Sequence, residues 1–136
     1  MKVEFFHPLK KIPTATAQEK GINHKTGQVY TLARVREVKA LYTAILLKYK
    51  PKRKLEGAIC LKVSFRFPLS RGHKEGDWKI TKPDTDNMLK LLKDCGTKCG
   101  YWQDDNQIAF EVTTKKYSKD SGIVFLAEEM EADNEQ

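Results

Sequence analysis

Asp84 and Asp86 stand two residues apart in Lys82-Pro83-Asp84-Thr85-Asp86-Asn87, and Lys90 follows four residues after Asp86. Two more acids, Asp104 and Asp105, lie in Trp102-Gln103-Asp104-Asp105-Asn106-Gln107-Ile108. Carboxylates gathered in this way suit hard divalent cations, which take oxygen ligands and keep several waters, so that two or three acids suffice. The surrounding chain is basic, with 25 Lys and Arg against 18 Asp and Glu and a net charge of +7. A basic protein attracts phosphate, whereas clustered carboxylates repel it unless a cation lies between them. A divalent-metal site facing a nucleic-acid backbone reconciles the two.

Each part of the pattern also has a plainer reading. Asp-x-Asp arises often by chance and commonly caps a helix. A doubled Asp is often a turn, and Lys90 paired with Asp86 or Asp94 contributes little on a surface. The whole pattern is far more restrictive: D-x-D-N-x-x-K, an amphipathic segment, an aromatic pair, then D-D-x-Q. Pro83 favours extended chain before it, and residues two apart in extended chain point the same way. Asp84 and Asp86 are therefore expected to reach one cation. Lys90, one helical turn on, would neutralise them at rest or stabilise charge on a phosphate. Once the chain returns, one of Asp104 and Asp105 should face that pair, and alternation alone does not choose between them.

The elements that must position these groups follow from periodicity. Residues 2–6 read as a short strand. Residues 8–28 read as a long polar loop with a hairpin turn near Lys25-Thr26-Gly27. Val35, Val38, Tyr42, Ile45 and Tyr49 predict a helix over 34–49, stopped by Pro51. Strict alternation of Ile59, Leu61, Val63, Phe65 and Phe67 predicts a strand over 58–67. A second helix is expected over 86–99, with the stripe Met88, Leu91, Leu92, Cys95 and Cys99. Asp84 or Asp86 would cap it, Gly96 would weaken it and Gly100 would end it. Two further strands are expected near 107–117 and 122–130. The first carries Ile108, Phe110 and Val112 on one face, and the second carries Ile123, Phe125 and Ala127. The turn at Lys119-Asp120-Ser121-Gly122 predicts that they form an antiparallel hairpin. The order β, loop, α, β, α, β, β predicts an α/β (α+β) domain, a small mixed sheet with helices mainly on one side.

One domain over 1–127 and an acidic tail over 128–136 account for the length. The last nine residues hold five acids and no base, so the rest of the chain carries an excess of twelve positive charges. That excess is a footprint for polyanion binding, although solvated surface lysine would give the same total. Candidate DNA contacts are Lys10 and Lys11, the run Lys52, Arg53 and Lys54 after the first helix, and Lys79 and Lys82 before the acids. The run could equally be a solvated helix end whose cations complement the macrodipole. Cys60, Cys95 and Cys99 form no C-x-x-C pair and no His completes a metal set, so they read as reduced core thiols. His7, His24 and His73 are scattered and fit no ligand pattern. Tyr101 and Trp102 could stack on unpaired bases, but their place between a helix end and a strand favours packing. No apolar run is long enough for a membrane span, and the expected location is the cytoplasm.

Lys82-Pro-Asp-Thr-Asp-Asn-Met-Leu-Lys90 with Gly100-Tyr-Trp-Gln-Asp-Asp-Asn-Gln-Ile108 closely resembles the RusA family of Holliday-junction resolvases, in the form carried by prophages of Gram-positive bacteria. Pro13-Thr14-Ala15-Thr16-Ala17-Gln18 is similar to that form's P-T-x-T-x-Q segment. The resemblance implies a homodimeric, Mg²⁺-dependent endonuclease, with Mn²⁺ as a substitute ion, that cuts four-way DNA junctions by paired nicks in recombination and repair. It assigns catalysis to Asp84, Asp86, Lys90 and Asp105 and metal binding to Asp84, Asp86 and Asp105, leaving Asp104 a supporting or turn role. The Arg-rich approach of some members is replaced here by Lys79 and Lys82. Two alternatives accompany this reading. One is a related nuclease acting on flaps or forks. The other is a non-catalytic protein that binds branched DNA.

Overall fold

A computed structural model describes residues 1–15 and 20–133. Thr16, Ala17 and Gln18 of the Pro13–Gln18 motif, and the end of the acidic tail, lie outside the described residues. The elements are β1 (Lys2–Pro8), β2 (Lys20–Ile22), β3 (Val29–Thr31), α1 (Ala33–Lys48), β4 (Ile59–Pro68), α2 (Thr85–Cys99), a 3₁₀ turn (Asp105–Gln107), β5 (Ile108–Ser118) and β6 (Gly122–Glu129). β2 and β3 pair around the turn expected near Lys25-Thr26-Gly27, so Lys20–Ile22 is strand within the stretch that reads as loop. The Asn23 carboxamide oxygen accepts from the Lys25 and Thr26 amides in its turn.

The main sheet has the order β1-β6-β4-β5, with β4 and β5 parallel and the other pairs antiparallel. This is the mixed α+β fold expected, with one correction. β5 and β6 do not pair as a hairpin, because β4 lies between them. The cause is the apolar character of β4, whose Ile59, Leu61, Val63, Phe65 and Phe67 are buried, so that it takes an inner position. Residues 119–121 cross the end of β4 instead. Short turn-forming residues can span two strand spacings, roughly 10 Å, as readily as they close a hairpin. β6 runs on to Glu129, so Glu128 and Glu129, acidic by composition, belong to the sheet.

α1 and α2 pack together through the buried faces carrying Val35, Val38, Tyr42 and Ile45 on one side and Met88, Leu91, Leu92, Cys95 and Cys99 on the other. The Cys95 and Cys99 thiols lie 3.7 and 3.9 Å from the carbonyls of Lys39 and Thr43, as core thiols should. Burial raises both thiol pKa values, which suits an unreactive role.

Tyr101 and Trp102 are core residues too. The Tyr101 hydroxyl donates to the Leu46 carbonyl at 2.6 Å, and the Trp102 indole N–H donates to Thr97 Oγ1 at 2.7 Å. Gly96 does more than loosen its helix. A Cβ there would fall 2.6 Å from Cζ2 of Trp102, so the missing side chain is what lets the indole close on α2. Gly100 ends the helix in the left-handed region at φ 85°, with the Tyr101 amide returning to the Gly96 carbonyl. Among the described residues, no helix is long and apolar enough to cross a membrane.

Candidate active site

Asp84 is the last extended residue before α2, with φ −72° and ψ 143°. It occupies the N-cap position, yet its carboxylate makes no capping bond; only its carbonyl is used, by the Met88 amide at 3.1 Å. Asp86 lies inside the first helical turn, where an anion complements the helix macrodipole. The extended-chain alternation expected to aim both carboxylates the same way therefore stops short of Asp86, because the helix begins at Thr85. Lys90 follows one turn later on the same helix. All three are exposed. Among the described residues none of the three has an ion-pair or side-chain hydrogen-bond partner, so the surface pair of Lys90 with Asp86 or Asp94 does not form.

The segment leading to Asp84 is held by two lysines. Lys115, on β5, donates to the Thr81 carbonyl at 2.6 Å and to the Pro83 carbonyl at 2.7 Å. Lys79 donates to Thr81 Oγ1 at 2.7 Å, and its ammonium sits over the rings of Phe67 and Tyr117 at 4.9 and 5.5 Å. The Lys82–Pro83 peptide is cis, and Pro83 is buried. Lys115 is the residue that the sequence reading missed. It follows Glu111 and Thr113 on β5 at alternate positions, opposite the buried residues of β4, and such polar positions on the helix-covered side of a strand mark groups with a specific partner.

Asp104 and Asp105 have different roles. Asp104 accepts from the Asn106 amide at 2.8 Å, while Gln107 Oε1 accepts from the Gln103 and Asp104 amides at 2.9 and 3.0 Å. These bonds are a reciprocal cap on the 3₁₀ turn. Gln107 Nε2 donates onward to the carbonyls of Leu55 and Gly57. Asp104 is thus the turn-former. Asp105 is half-buried and makes no such bond. Both line a cleft of about 350 Å³ with Lys39, Asp94, Thr97, Lys98 and Gln103.

Within one chain Asp105 does not meet Asp84 and Asp86, and no group of three potential metal-ligating side chains exists among the described residues. The expectation that the returning chain would place an acid beside the pair is not met, for a topological reason. β4 and β5 are parallel, so α2 must carry the chain back to the starting end of the sheet. Asp84 and Asp86 begin that helix and Asp105 follows it. The 15 residues of α2 span roughly 22 Å. A single chain therefore does not fit a three-carboxylate metal site, although each carboxylate remains chemically available.

The other basic candidates divide in two. Arg53 is held by Glu129 at 2.8 and 3.2 Å, Lys54 donates to Gln103 Oε1 at 2.8 Å, and Lys79 is engaged as described. Lys10, Lys11, Lys52 and Lys82 are exposed and have no such bond among the described residues. The histidines bind no common group. His7 contacts the Tyr49 hydroxyl, His73 stacks on Tyr117, and His24 is exposed.

Comparison with known proteins places these residues in a family. Residues 11–125 match the family model described as endodeoxyribonuclease RusA. A curated relative from Lactococcus phage r1t, named crossover junction endodeoxyribonuclease rusA, is 38% identical over 112 residues, covering 81% of this chain and 85% of that protein. Asp84, Asp86, Lys90 and Asp105 all fall inside the matched range, so the chain that carries this pair of separated acidic ends belongs to the RusA family of crossover junction endodeoxyribonucleases.

Proposed function

We propose that this chain is a divalent-metal-dependent endodeoxyribonuclease that resolves four-way DNA junctions by paired symmetric nicks. We further propose that it acts as a homodimer whose two sites are each built from both subunits. One observation carries this reading. Asp84, Asp86, Lys90 and Asp105 stand without ionic or side-chain hydrogen-bond partners among the described residues, whereas Glu75, Glu111 and Glu129 are all engaged. In a chain with 25 cationic side chains, acids kept apart from those cations remain available to an ion from outside.

Asp84 and Asp86 of one protomer would join Asp105 of the partner subunit. A two-fold axis that sets α2 against its mate in opposite direction brings the start of one helix towards the end of the other. A bound divalent cation such as Mg²⁺ or Mn²⁺ supplies an activated water and offsets charge at the phosphate. The chain's own residues do the positioning: Lys115 holds the approach to Asp84, and Lys90 keeps a positive charge one turn above Asp86. Lys10, Lys11, Lys52 and Lys82, exposed and without such bonds among the described residues, are suited to phosphate contact. Two symmetric sites give one cut to each of two strands, which supports the dimer.

A synthetic four-way junction tests the reading. Paired symmetric nicks are expected with Mg²⁺ and none with chelator. Cutting of flaps or forks but not junctions would point to a related nuclease. Tight binding without cutting in Mg²⁺ or Mn²⁺ would leave a branched-DNA-binding protein. Asp86→Asn should retain junction binding and lose cleavage, and a parental cutting rate in that variant would refute the site.

A further inference from the structure

The helices cover one face of the main sheet, the face that carries Leu61, Val63 and Phe65. The opposite face is made by the alternate residues and stays open. The register places Lys62 and Arg66 of β4 on it, beside Phe110 and Lys116 of β5 and, across β6, Phe6 of β1. Residues 76–79 extend the sheet beyond β5. The Gly76 and Lys79 amides donate to the Tyr117 and Lys115 carbonyls at 2.9 Å, and Trp78 bridges to Lys116. Trp78, Phe110 and Phe6 are 61%, 49% and 39% exposed. Three large rings left in water on one face mark a binding surface.

Each of these rings has a cation against it. The Lys116 ammonium lies 4.6 Å from the centre of the Trp78 ring, Lys62 lies 5.9 Å from that of Phe110, and the Arg66 guanidinium lies 6.0 Å from that of Phe6. Arg66 reaches Phe6 over β6 beside Gly122, which has no side chain to bar the way. None of the three cations has a carboxylate at ion-pair distance among the described residues. From Cys60 and Phe110 onward, the outward positions of β4 and β5 on this face hold no acid. The acids of the face, Glu4 and Glu128, lie on β1 and β6, and Glu4 is paired with Lys2 at 3.5 Å. The β4–β5 half is therefore complementary in charge to phosphate.

We propose that this open face is a second DNA surface, which takes an unpaired strand. Bases stack on Trp78, Phe110 and Phe6, while Lys62, Arg66 and Lys116 meet the phosphates. The inference rests on the DNA-nuclease reading above for its choice of polymer. The make-up of the patch selects the occupant. In a duplex the bases stack on one another and leave no free base face for a protein ring. Protein interfaces are depleted of lysine at their centre, whereas cations are spread through this patch. Phe6 and Trp78 stand four strand spacings apart, roughly 19 Å, and Phe110 lies six residues along β5 from Lys116, roughly 20 Å. A strand of several nucleotides spans such distances. The platform also adjoins the acids around the β5 edge. Trp78 lies on the open face, while Lys79 and Lys115 hold the segment leading to Asp84 on the helix side. A strand unpaired at a branch point can run from the acids onto the platform.

The test is binding of the full chain, without metal, to a labelled oligothymidylate of about 15 nucleotides. Trp78 and Trp102 are the two tryptophans of the chain, and Trp102 is buried, so quenching of intrinsic fluorescence reports on Trp78. The oligothymidylate is expected to bind and to quench the emission, and Trp78→Ala to abolish the quenching. Trp78→Ala and Phe110→Ala should each raise the dissociation constant about tenfold, with circular dichroism unchanged. Folded variants that bind as tightly as the parent, or parental binding without quenching, would assign the affinity to phosphate contact alone and overturn the proposal. A fully paired duplex that quenches as strongly also overturns it. So does a Trp78 emission already shielded from acrylamide without DNA, since a second copy would then cover the face. If an alanine variant fails to fold, the quenching of the parent decides alone. No cleavage enters the measurement. A chain that stacks an unpaired strand but never cuts junctions supports the platform and refutes the nuclease reading, and one that cuts without stacking does the reverse.

Discussion

Two inactive variants, mixed, should recover activity that neither has alone. The variants are Asp86→Asn and Asp105→Asn, and the argument begins from the length of α2. The cleft beside Asp105 reaches Asp94 and Lys98 on that helix. Measured along the axis, Asp86 lies about 12 to 18 Å from those positions. Metal–oxygen bonds are about 2.0 to 2.6 Å long, so one chain cannot place both carboxylates on one ion. In each variant homodimer, both shared sites carry a lesion. In a heterodimer one site collects both lesions and the other collects none. Random exchange in an equal mixture makes about half of the dimers heterodimers, so roughly a quarter of the parental number of sites is intact. Cleavage of a labelled four-way junction should return to about that fraction, as single nicks and not as paired cuts. Exchange itself is checked by co-purification through a tag on one variant. A mixture that exchanges subunits and still cuts nothing would refute the shared site, as would an Asp105→Asn homodimer with parental activity.

Three other outcomes follow from particular contacts. Lys115→Met keeps the aliphatic stem but abandons the carbonyls of Thr81 and Pro83, so cleavage should fall on the order of a hundredfold through misplacement of Asp84. Junction binding should hold and Lys115→Arg should rescue in part; a parental rate in the Met variant would remove Lys115 from the site's support. Gly96→Ala would press a methyl to 2.6 Å from Trp102 and should cost about 1–3 kcal/mol by overpacking. That appears as a melting temperature several degrees lower, and an unchanged melt would mean that the indole can move aside. The Glu129 carboxyl is held well below the ordinary carboxylate range, chiefly by its hydrogen bond with Arg53, then by the Glu56 amide and the N-terminal ammonium. A depressed folded-state pKa contributes stability above the unfolded value, and that contribution is lost as falling pH protonates the group. Glu129→Gln should therefore melt below the parent at neutral pH, with the gap narrowing once pH drops beneath about 4. A gap that is constant with pH would assign the loss to something other than charge.

The elements were legible in the sequence because periodicity and punctuation agreed. The stripe from Met88 to Cys99 with Gly100 behind it, and the alternation from Ile59 to Phe67, each allow one reading. The order of strands was less legible. Lys119 to Gly122 has the composition of a turn, and composition does not say whether a turn closes on its neighbour or crosses a third strand. The apolar demand of β4 decided that, and it is a property of the whole sheet. The site divided in the same way. Asp84, Asp86 and Lys90 stood out by type and spacing, whereas the preference for Asp105 over Asp104 came from the family resemblance alone. The distance from Asp84 and Asp86 to Asp105 depended on the parallel pairing of β4 with β5, which sends α2 the length of the sheet. Lys115 was hidden because a lysine in a strand looks like surface until the carbonyls it holds are seen.

That separation bears on how a small nuclease avoids damage. A chain carrying a complete set of carboxylates would bind its ion and cut whatever duplex its basic surface attracted, one strand at a time. Lone nicks on ordinary DNA would be the usual product. With Asp84 and Asp86 at one end of α2 and Asp105 beyond the other, a solitary chain has only two of three acids at any one place. If the site is shared as proposed, assembly and metal binding would become one event, since the contact that joins the subunits would also complete both sites together. Linkage makes the relation reciprocal: whatever stabilises the ion in its shared cage must stabilise the dimer by the same free energy. Symmetry adds the rest. An assembly with a two-fold axis meets a four-way junction, which can adopt a matching axis, with both sites placed alike, whereas linear duplex offers a scissile phosphate to one site at a time. On that proposal, the parallel β4–β5 pair that pulls the acids apart would be the structural origin of paired cutting.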